Sequence, residues 1–424
     1  MKISSDVHNF IKVFEGAYLE YFNNLNSKDY ISPEMLGHVS LFLLSSNNFN
    51  KDCYQDIIIK YFKNLKNKLE LYGITSIGLI SGNGLDLFIS ELFYKKTGGL
   101  KKFYLKFENE LYLKMNTSIM IDNMENVNPY DFDLISGISG ITYYYLKKDN
   151  HYDFDLTNMI IYLINLTKSK KFEGLDLLNI HIKNDAEMSE FKKHGYINFS
   201  LSHGLMAVFL TLTMSYKKGY IVEGLKEAID KLILIYDKFK IVKDGIDLWP
   251  TQLNAINYSK NYWNVDEDPR SPMSMSWCYG SMSITRSLFK IFRELNNTTL
   301  CNYYKEKFVN LVNRPISQYM LQNSCLCHGY SSVITEILCM YKDTLDFRLI
   351  KPVEKLALNS INTHLESNKK LEYFLSNNCK DINHNIIEGT YKDLSLLEGV
   401  IGILLSLNAI TTNELDYSKL LLID

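Results

Sequence analysis

The sequence is poor in proline and has no long apolar run. Only 7 of its 424 residues are prolines, against 30 tyrosines and 22 phenylalanines, which favours long uninterrupted elements, most simply helices. No run of about 18 apolar residues occurs, so no membrane-spanning helix is predicted. The most apolar segment, residues 396–407, is interrupted by Glu398 and Gly399. The first residues also lack the apolar core of a signal peptide, and we therefore expect a cytoplasmic protein.

The sequence also lacks an excess of basic charge and a disulfide framework. Its 46 Lys and Arg residues are balanced by 48 Asp and Glu residues, so no basic surplus is present to hold nucleic-acid phosphates. The seven cysteines are odd in number and unevenly spaced, which is typical of reduced thiols or metal ligands. A chain of this length can bury a large core without covalent cross-links.

Internal repeats are the most informative feature of the sequence. Six segments share a glycine-centred turn followed by an apolar run of helical length, and their central glycines are Gly82, Gly137, Gly204, Gly280, Gly329 and Gly399. A seventh and weaker copy is centred on Gly37. The central glycines are 45 to 76 residues apart, which is enough for one helix, a returning helix and loops.

The two kinds of segment in each repeat differ in their hydrophobic pattern. Residues 205–214 are apolar on nearly every side, which is typical of a buried helix. Leu225, Ala228, Ile229 and Leu232 recur at helical spacing with charged residues between them, which is typical of an amphipathic helix. Seven such pairs predict an all-α fold, an α/α toroid of seven inner and seven outer helices. Residues 1–424 would then form a single domain.

In a closed toroid all inner helices start at the same end, so the seven glycine turns are expected to meet at one mouth. Glycine would serve there for close backbone approach and for positive φ. An open helical solenoid is the alternative arrangement of the same repeats.

One stretch, at about residues 240–276, breaks this rhythm. It contains Trp249, Trp263 and three of the seven prolines, which predicts a long loop or a small irregular insertion. Loops of this length in compact folds are usually functional. Trp277 lies just beyond it and, with Trp249 and Trp263, is a candidate for an apolar wall of a site, although packing in the core is an equal interpretation.

Chemically reactive residues concentrate in the repeat turns. Cys278 lies in one turn, and the adjacent pair Cys327 and His328 lies in the next. Two thiolates and one imidazole are a common zinc set that leaves a fourth position open, and soft sulfur ligands favour zinc over magnesium or calcium. Cys325 is the second choice for the Cys327 position. The default interpretation for the remaining cysteines is a small buried apolar residue, and these are Cys53, Cys301, Cys339 and Cys379.

A histidine and a carboxylate accompany this set. His203 precedes Gly204, and Asp133 precedes the turn at Gly137. A histidine at the mouth is a natural proton donor or acceptor, and a nearby carboxylate would fix its tautomer. The alternative is a helix-capping role for Asp133 and a structural role for His203.

Three motifs in this order resemble the lanthionine synthetase C family, the cyclases of class I lanthipeptide biosynthesis. They are Ser202-His203-Gly204, Trp277-Cys278-Tyr279-Gly280 and Cys327-His328-Gly329. The resemblance spans most of the chain and implies an α/α toroid. It also implies one zinc ion held by Cys278, Cys327 and His328, with His203 and Asp133 as functional residues and Tyr279 lining the site.

One position departs from the family pattern. Many members carry an arginine four residues before the cysteine of the Trp-Cys-Tyr-Gly motif, whereas this chain has Ser274. The nearest arginine is Arg270, in the irregular stretch. Either Arg270 reaches the site from a rearranged loop, or the site lacks that cation.

The resemblance implies a zinc-dependent cyclase that forms (methyl)lanthionine rings. Peptide Cys thiolates would add to dehydroalanine or dehydrobutyrine in a dehydrated precursor peptide, with His203 or Tyr279 handling the proton. A dehydratase and an exporter are the expected partners, through which the enzyme would associate peripherally with a membrane. Two alternatives stay open: a zinc-thiolate enzyme that adds glutathione or another small thiol to an unsaturated acceptor, and a non-catalytic zinc-bound scaffold.

Overall fold

Helices dominate the structure, a computed structural model that describes residues 3–24, 32–46, 50–119, 124, 127–148, 154–182, 194–367 and 394–424. Within these residues the α-helices are α1 (Ser5–Asn24), α2 (Pro33–Ser45), α3 (Asp52–Tyr72), α4 (Asn83–Thr97), α5 (Lys101–Ser118), α6 (Pro129–Phe132), α7 (Ile138–Lys147), α8 (Thr157–Thr167), α9 (Leu205–Lys217), α10 (Leu225–Lys238), α11 (Ala255–Ser259), α12 (Ser281–Glu294), α13 (Thr298–Val312), α14 (Tyr330–Thr344), α15 (Val353–Ser367) and α16 (Val400–Thr412). The all-α prediction is confirmed. Among the described residues, no helix is both long and apolar enough to cross a bilayer.

Seven of these helices form a closed inner ring: α2, α4, α7, α9, α12, α14 and α16. Their side chains are almost all buried, as the apolar runs predict; in α9, for example, Leu205 to Ser215 are buried without exception. Neighbouring inner helices contact one another in chain order, with Phe88 of α4 packing edge-on against Tyr144 of α7. The last inner helix, α16, packs against the first, α2. This contact closes the ring and excludes the open solenoid.

The outer ring covers the inner one with amphipathic helices. α3, α5, α8, α10, α13 and α15 each pack against the inner helix that precedes them in the chain. In α10 the predicted apolar stripe is buried, since Leu225, Ala228, Ile229 and Leu232 all face the core. The outer partner of α16 is α1, from the other end of the chain, which also contacts α15. The prediction of seven inner and seven outer helices is therefore confirmed.

The six strong glycine turns lie at the starts of inner helices, as predicted, but glycine does not adopt a positive φ at these positions. Gly82, Gly137, Gly204, Gly280, Gly329 and Gly399 are the N-cap residues of α4, α7, α9, α12, α14 and α16, all with extended φ and ψ. The expectation of positive φ is therefore wrong. The requirement is close approach: a Cβ at Gly280 would lie 2.2 Å from the carbonyl oxygen of Ser274, and one at Gly137 only 2.3 Å from the amide nitrogen of Asp133.

The seventh repeat does not begin at a glycine. α2 starts at Pro33, four residues before Gly37, because Pro33 occupies its first turn and the Ser32 hydroxyl accepts a hydrogen bond from the Met35 amide at 3.2 Å. Gly37 lies inside this helix, packed against the ring of Tyr61. A serine cap and a proline thus replace the glycine turn, and six glycine turns rather than seven reach the mouth.

Hydrogen bonds join these turns directly to one another around the mouth. The donors and acceptors are, in ring order, Ser81 N to Ile135 O (3.2 Å), Leu134 N to Ser202 O (3.1 Å), Ser202 Oγ to Cys278 O (3.2 Å), Cys278 N to Cys327 O (3.1 Å) and Cys327 N to Leu397 O (2.8 Å). Turns that are distant in sequence are thereby fixed against one another.

The stretch at 240–276 is more ordered than the sequence suggests. Six short strands occur in the described residues: β1 (Ser169–Phe172), β2 (Leu175–Leu178), β3 (Tyr196–Asn198), β4 (Ile241–Lys243), β5 (Ile246–Leu248) and β6 (Gln252–Asn254). β1 pairs with β2, β4 with β5, and β3 with β6, all antiparallel. The β3–β6 pair ties this stretch to the residues that precede His203. The prediction that residues 1–424 form one domain stays a prediction.

Replacing a glycine that lies against neighbouring backbone should lower the stability of the protein, whereas replacing a glycine with open space around it should raise the stability. A Cβ at Gly82 would lie 2.6 Å from the amide nitrogen of Gly78, whereas a Cβ at Gly16, on the exposed face of α1, would meet nothing within 4 Å. We expect Gly82→Ala to lower the free energy of unfolding by about 1 to 3 kcal/mol and Gly16→Ala to raise it by about 0.5 to 1 kcal/mol. Urea unfolding followed by circular dichroism measures both. Equal effects of the two substitutions would contradict the close-approach explanation.

Candidate metal centre and active site

Three ligand atoms converge where two neighbouring turns meet. Cys278, Cys327 and His328 place their Sγ and ring nitrogen atoms within 4.8 Å of one another, and no other such His, Cys, Asp and Glu group is found in the described part of the chain. The adjacent residues Cys327 and His328 both reach this point because the chain turns into α14 at Gly329. The geometry brings together the three predicted metal ligands.

The electrostatics of this cluster suit a cation. A hydrogen bond from Cys327, with help from His328, holds the pKa of the Cys278 thiol well below its usual range. The same hydrogen bond, together with burial, raises the pKa of Cys327, while hydrogen bonds to Cys278 and Cys325 raise the pKa of His328. The three groups therefore compete for shared protons, and a metal ion can replace those protons.

Cys325, the second choice from the sequence, lies outside this group of three. Its thiol donates to Asn323 Oδ1 at 3.1 Å and accepts from the His328 amide at 3.4 Å. Of the default cysteines, Cys339 is buried and Cys53 and Cys301 are half-buried. Cys379 lies outside the described residues.

His203 lies in the turn next to that of Cys278, and Asp133 lies in the turn before it. His203 Nδ1 lies 2.6 Å from Asp133 Oδ2, and Asp133 is fully buried. The other carboxylate oxygen accepts from the amides of Ser136 at 2.7 Å and Gly137 at 2.9 Å, at the start of α7. Asp133 thus both stabilises the helix start and orients His203, so the two interpretations hold together. The His203 side chain is 33% exposed, so part of it faces solvent.

Tyr279 and Arg270 complete the wall beside His203. The rings of Tyr279 and His203 have their centroids 6.4 Å apart, and the Tyr279 hydroxyl accepts a hydrogen bond from the side-chain NH₂ group of Asn198 at 3.0 Å. The guanidinium carbon of Arg270 lies 4.1 Å from the Tyr279 ring centroid, a cation–π contact. Arg270, which lies in the irregular stretch, thus contacts a residue of the Trp-Cys-Tyr-Gly motif.

Two of the three tryptophans proposed as an apolar wall are buried in the core, whereas Trp263 is half-buried. Trp277 and Trp249 are 0% and 1% exposed, and both are core side chains. Their indole N–H groups donate to main-chain carbonyls, of Leu421 at 3.0 Å and of Tyr236 at 2.7 Å. The expectation that they contact a substrate is wrong, because each ring has an internal partner and no solvent-facing surface.

Two further polar residues near the site escape sequence analysis. Asn198 positions the Tyr279 hydroxyl, and its role depends on a contact between residues 81 positions apart that leaves no local pattern. Glu336 is buried on α14, where burial raises the pKa of its carboxyl well above the ordinary value; Arg286 opposes this shift and Cys278 adds to it. A signal for Glu336 was available, since it is the one charge in the apolar run 333–340.

The fold and the cluster together define the class of protein. Residues 35–422 match the family described as Lanthionine synthetase C-like protein, and the chain belongs to this family. The assignment made from the sequence motifs is confirmed, as is the prediction of an enzyme of the lanthionine-forming cyclase class.

Two individual proteins illustrate the relationship. The chain is 30% identical over 340 residues to the nisin biosynthesis protein NisC of Lactococcus lactis subsp. lactis, an alignment that covers 78% of each chain. It also resembles the solved structure of a nisin cyclase with a TM-score of 0.76, over 99% of this chain and 98% of that one. At 23% identity, the latter comparison supports the toroid fold.

The two hydrogen-bonding roles of Asp133 predict a tautomer switch in Asp133→Asn. The amides of Ser136 and Gly137 would keep the asparagine oxygen on their side, so its NH₂ group would face His203 Nδ1. We expect the neutral His203 ring to carry its proton on Nδ1 in the parent and on Nε2 in the variant. Ring ¹⁵N chemical shifts in histidine-labelled protein report this directly. Asp131→Asn, two residues away, is the matched control, and unchanged His203 shifts in Asp133→Asn would contradict the assignment.

Proposed function

We propose that the protein is a zinc-dependent cyclase that forms (methyl)lanthionine rings in a dehydrated precursor peptide. The observation that carries the proposal is the position of the Cys278, Cys327 and His328 cluster beside the His203–Asp133 pair at one mouth. A nucleophile-holding group and a proton-transfer group are thereby adjacent, as thiol addition to an activated alkene requires. The family membership of the chain supports the same reaction class.

The donor set fits zinc. A tetrahedral zinc ion with ligand bonds of about 2.0 to 2.3 Å separates its ligand atoms by about 3.3 to 3.8 Å. The three atoms here, all within 4.8 Å of one another, need only small adjustments to meet this geometry. Three protein ligands leave the fourth position for the substrate thiol. A zinc ion held by these three residues would lower the pKa of the substrate thiol and hold it as a nucleophilic thiolate.

His203 is the residue placed to move the proton. In the overall addition the S–H bond and the π bond of the dehydroamino acid break, while a C–S bond forms at the β-carbon and a C–H bond forms at the α-carbon. No electrons are gained or lost, so no redox cofactor is needed. His203 Nε2 can accept the thiol proton as the substrate enters and return it to the α-carbon. Asp133 keeps Nδ1 protonated and stabilises the charged ring while it carries this proton.

Arg270 and Tyr279 supply polarity where negative charge develops. Addition to a dehydroamino acid places charge on the carbonyl oxygen next to the α-carbon, and a guanidinium nearby stabilises it. Arg270 is held on the Tyr279 ring with its N–H groups accessible to solvent and therefore to a peptide. We assign to this arginine the role that the family gives to the residue at position 274.

The substrate chemistry also defines the partners. Dehydroalanine and dehydrobutyrine arise from Ser and Thr, so a dehydratase must act on the precursor first. We propose that the cyclase receives the peptide from such a dehydratase in the cytoplasm and passes it to an exporter, without a nucleic-acid partner. An interaction with these proteins would place the enzyme peripherally at the membrane.

Zinc content tests the metal site. We expect about one zinc per chain in the purified protein and its loss in Cys278→Ala and Cys327→Ala, because two ligands do not hold the ion tightly. Cys325→Ala is the matched control and should keep its zinc, since its thiol lies outside the ligand group. Metal analysis after gel filtration gives the stoichiometry. Full zinc in both ligand variants, or its loss only in Cys325→Ala, would refute the assignment.

Ring formation tests the reaction. A synthetic peptide with one dehydroalanine and one cysteine loses its free thiol on cyclisation without a change in mass, so alkylation followed by mass spectrometry counts the rings. We expect His203→Ala to keep zinc but to cyclise about 10² to 10⁴ times more slowly. Asp133→Asn should also cyclise more slowly, because a neutral His203 ring that carries its proton on Nε2 cannot accept the thiol proton there.

Three outcomes would change this assignment. If His203→Ala cyclises at the parent rate with zinc bound, His203 is a packing residue; if it loses zinc, His203 supports the metal and Tyr279 is the next candidate acid. Glutathione in place of the peptide cysteine is the substrate control. Addition of glutathione, without cyclisation of the peptide, would identify a small-thiol enzyme, and no reaction of either kind with zinc bound would identify a scaffold.

A further inference from the structure

The residues that follow α16 enter the interior of the toroid. In segment 416–424 the side chains of Leu420 to Ile423 are all fully buried. Three inner helices hold the segment. From α12, Lys290 Nζ donates to the Leu422 carbonyl at 2.7 Å and Arg286 Nη2 donates to the Ile423 carbonyl at 2.9 Å. The Tyr417 hydroxyl lies 2.8 Å from Thr335 Oγ1 of α14, and Lys147 of α7 forms an ion pair with Asp424 at 3.2 Å. These bonds fix the segment along its whole length.

The same segment reaches the metal centre through one side chain. Trp277, which immediately precedes the ligand Cys278, donates its indole N–H to the carbonyl of Leu421 at 3.0 Å. Trp277 is fully buried, so its ring has no freedom to turn outward. The Cys278 amide itself donates to the carbonyl of Cys327 at 3.1 Å. The backbone of Cys278 is thus held both by the facing turn and, through Trp277, by segment 416–424.

We propose that Trp277 is a positioning residue for the metal centre, which anchors the Cys278 backbone to segment 416–424 and so fixes where its thiolate points. This role rests on the proposed zinc site and replaces the substrate contact expected from the sequence. Metal affinity depends on ligand orientation within a few tenths of an ångström, and loss of an orienting bond typically lowers it about 10- to 100-fold. Without the indole N–H, the Leu421 carbonyl also loses its partner and the support beneath the ligand loosens.

The chain provides a matched control for this idea. Trp249 is buried to the same extent as Trp277 and also donates its indole N–H to a main-chain carbonyl, that of Tyr236 at 2.7 Å. Trp277→Phe and Trp249→Phe remove the same group from equally buried rings, so we expect similar falls in melting temperature. Only Trp277→Phe should raise the zinc dissociation constant, by about 10- to 100-fold, measured by competition with a chromophoric chelator. The thiolate-to-metal absorption bands of the Co²⁺-substituted protein should shift in this variant alone.

A second variant keeps the test decisive if Trp277→Phe does not fold. Site-specific replacement of Trp277 by benzothienylalanine preserves the bicyclic shape and lacks only the N–H donor. An unchanged zinc dissociation constant in this protein, or equal weakening in the Trp249 and Trp277 variants, would overturn the inference while leaving the cyclase proposal intact. If instead the parent protein binds no zinc, the metal centre itself is refuted, and the positioning role with it.

Discussion

Close approach of main-chain atoms at the mouth is the constraint on which the rest of the structure depends. In five of the six glycine turns an added Cβ would lie 2.6 Å or less from a backbone atom that precedes it in the chain, and these turns are centred on Gly82, Gly137, Gly204, Gly280 and Gly329. Because the turns are this compact, their amides and carbonyls form hydrogen bonds from one repeat to the next. Asp133 and His328, although far apart in sequence, thereby lie at the same mouth. The chemistry lies on these turns because six of the seven repeats meet there.

The interior of the toroid is not purely apolar, and its polar residues are unevenly placed. Arg286 and Lys290 of α12 are fully buried, yet each donates to a carbonyl of the chain near its last residues. Burial lowers the pKa of Lys290 to about 7, although the nearby carboxylate of Asp424 acts in the opposite direction. These cations would be costly in an empty barrel. They are tolerated because Asp343 of α14 pairs with Arg286, and because segment 416–424 brings carbonyl oxygens to both cations and the Asp424 carboxylate to Lys290. The bonds that fill the centre therefore also hold the segment to which Trp277 is anchored.

Features that repeat along the chain could be predicted from the sequence, whereas features that occur only once could not. The glycine turns and apolar runs recur six times, so the toroid and the placement of Cys278 at its mouth could both be predicted. The start of α2 was misplaced because Ser32 and Pro33 perform locally what glycine does elsewhere. The short strands were missed because three or four residues carry no clear period. The partner of Trp277 depends on a chain segment 144 residues away, which no local pattern encodes.

The pairing of α1 with α16 makes the two ends of the chain parts of one wall. α1 precedes all seven inner helices in the chain, but the inner helix that it covers is the last of them. The apolar stripe of α1, formed by Ile11, Phe14 and Tyr18, is buried in the closed ring, where α1 packs against α15 and α16. Closure of the ring therefore depends on a contact of very large sequence separation, the kind of contact whose loop entropy must be paid before it contributes stability.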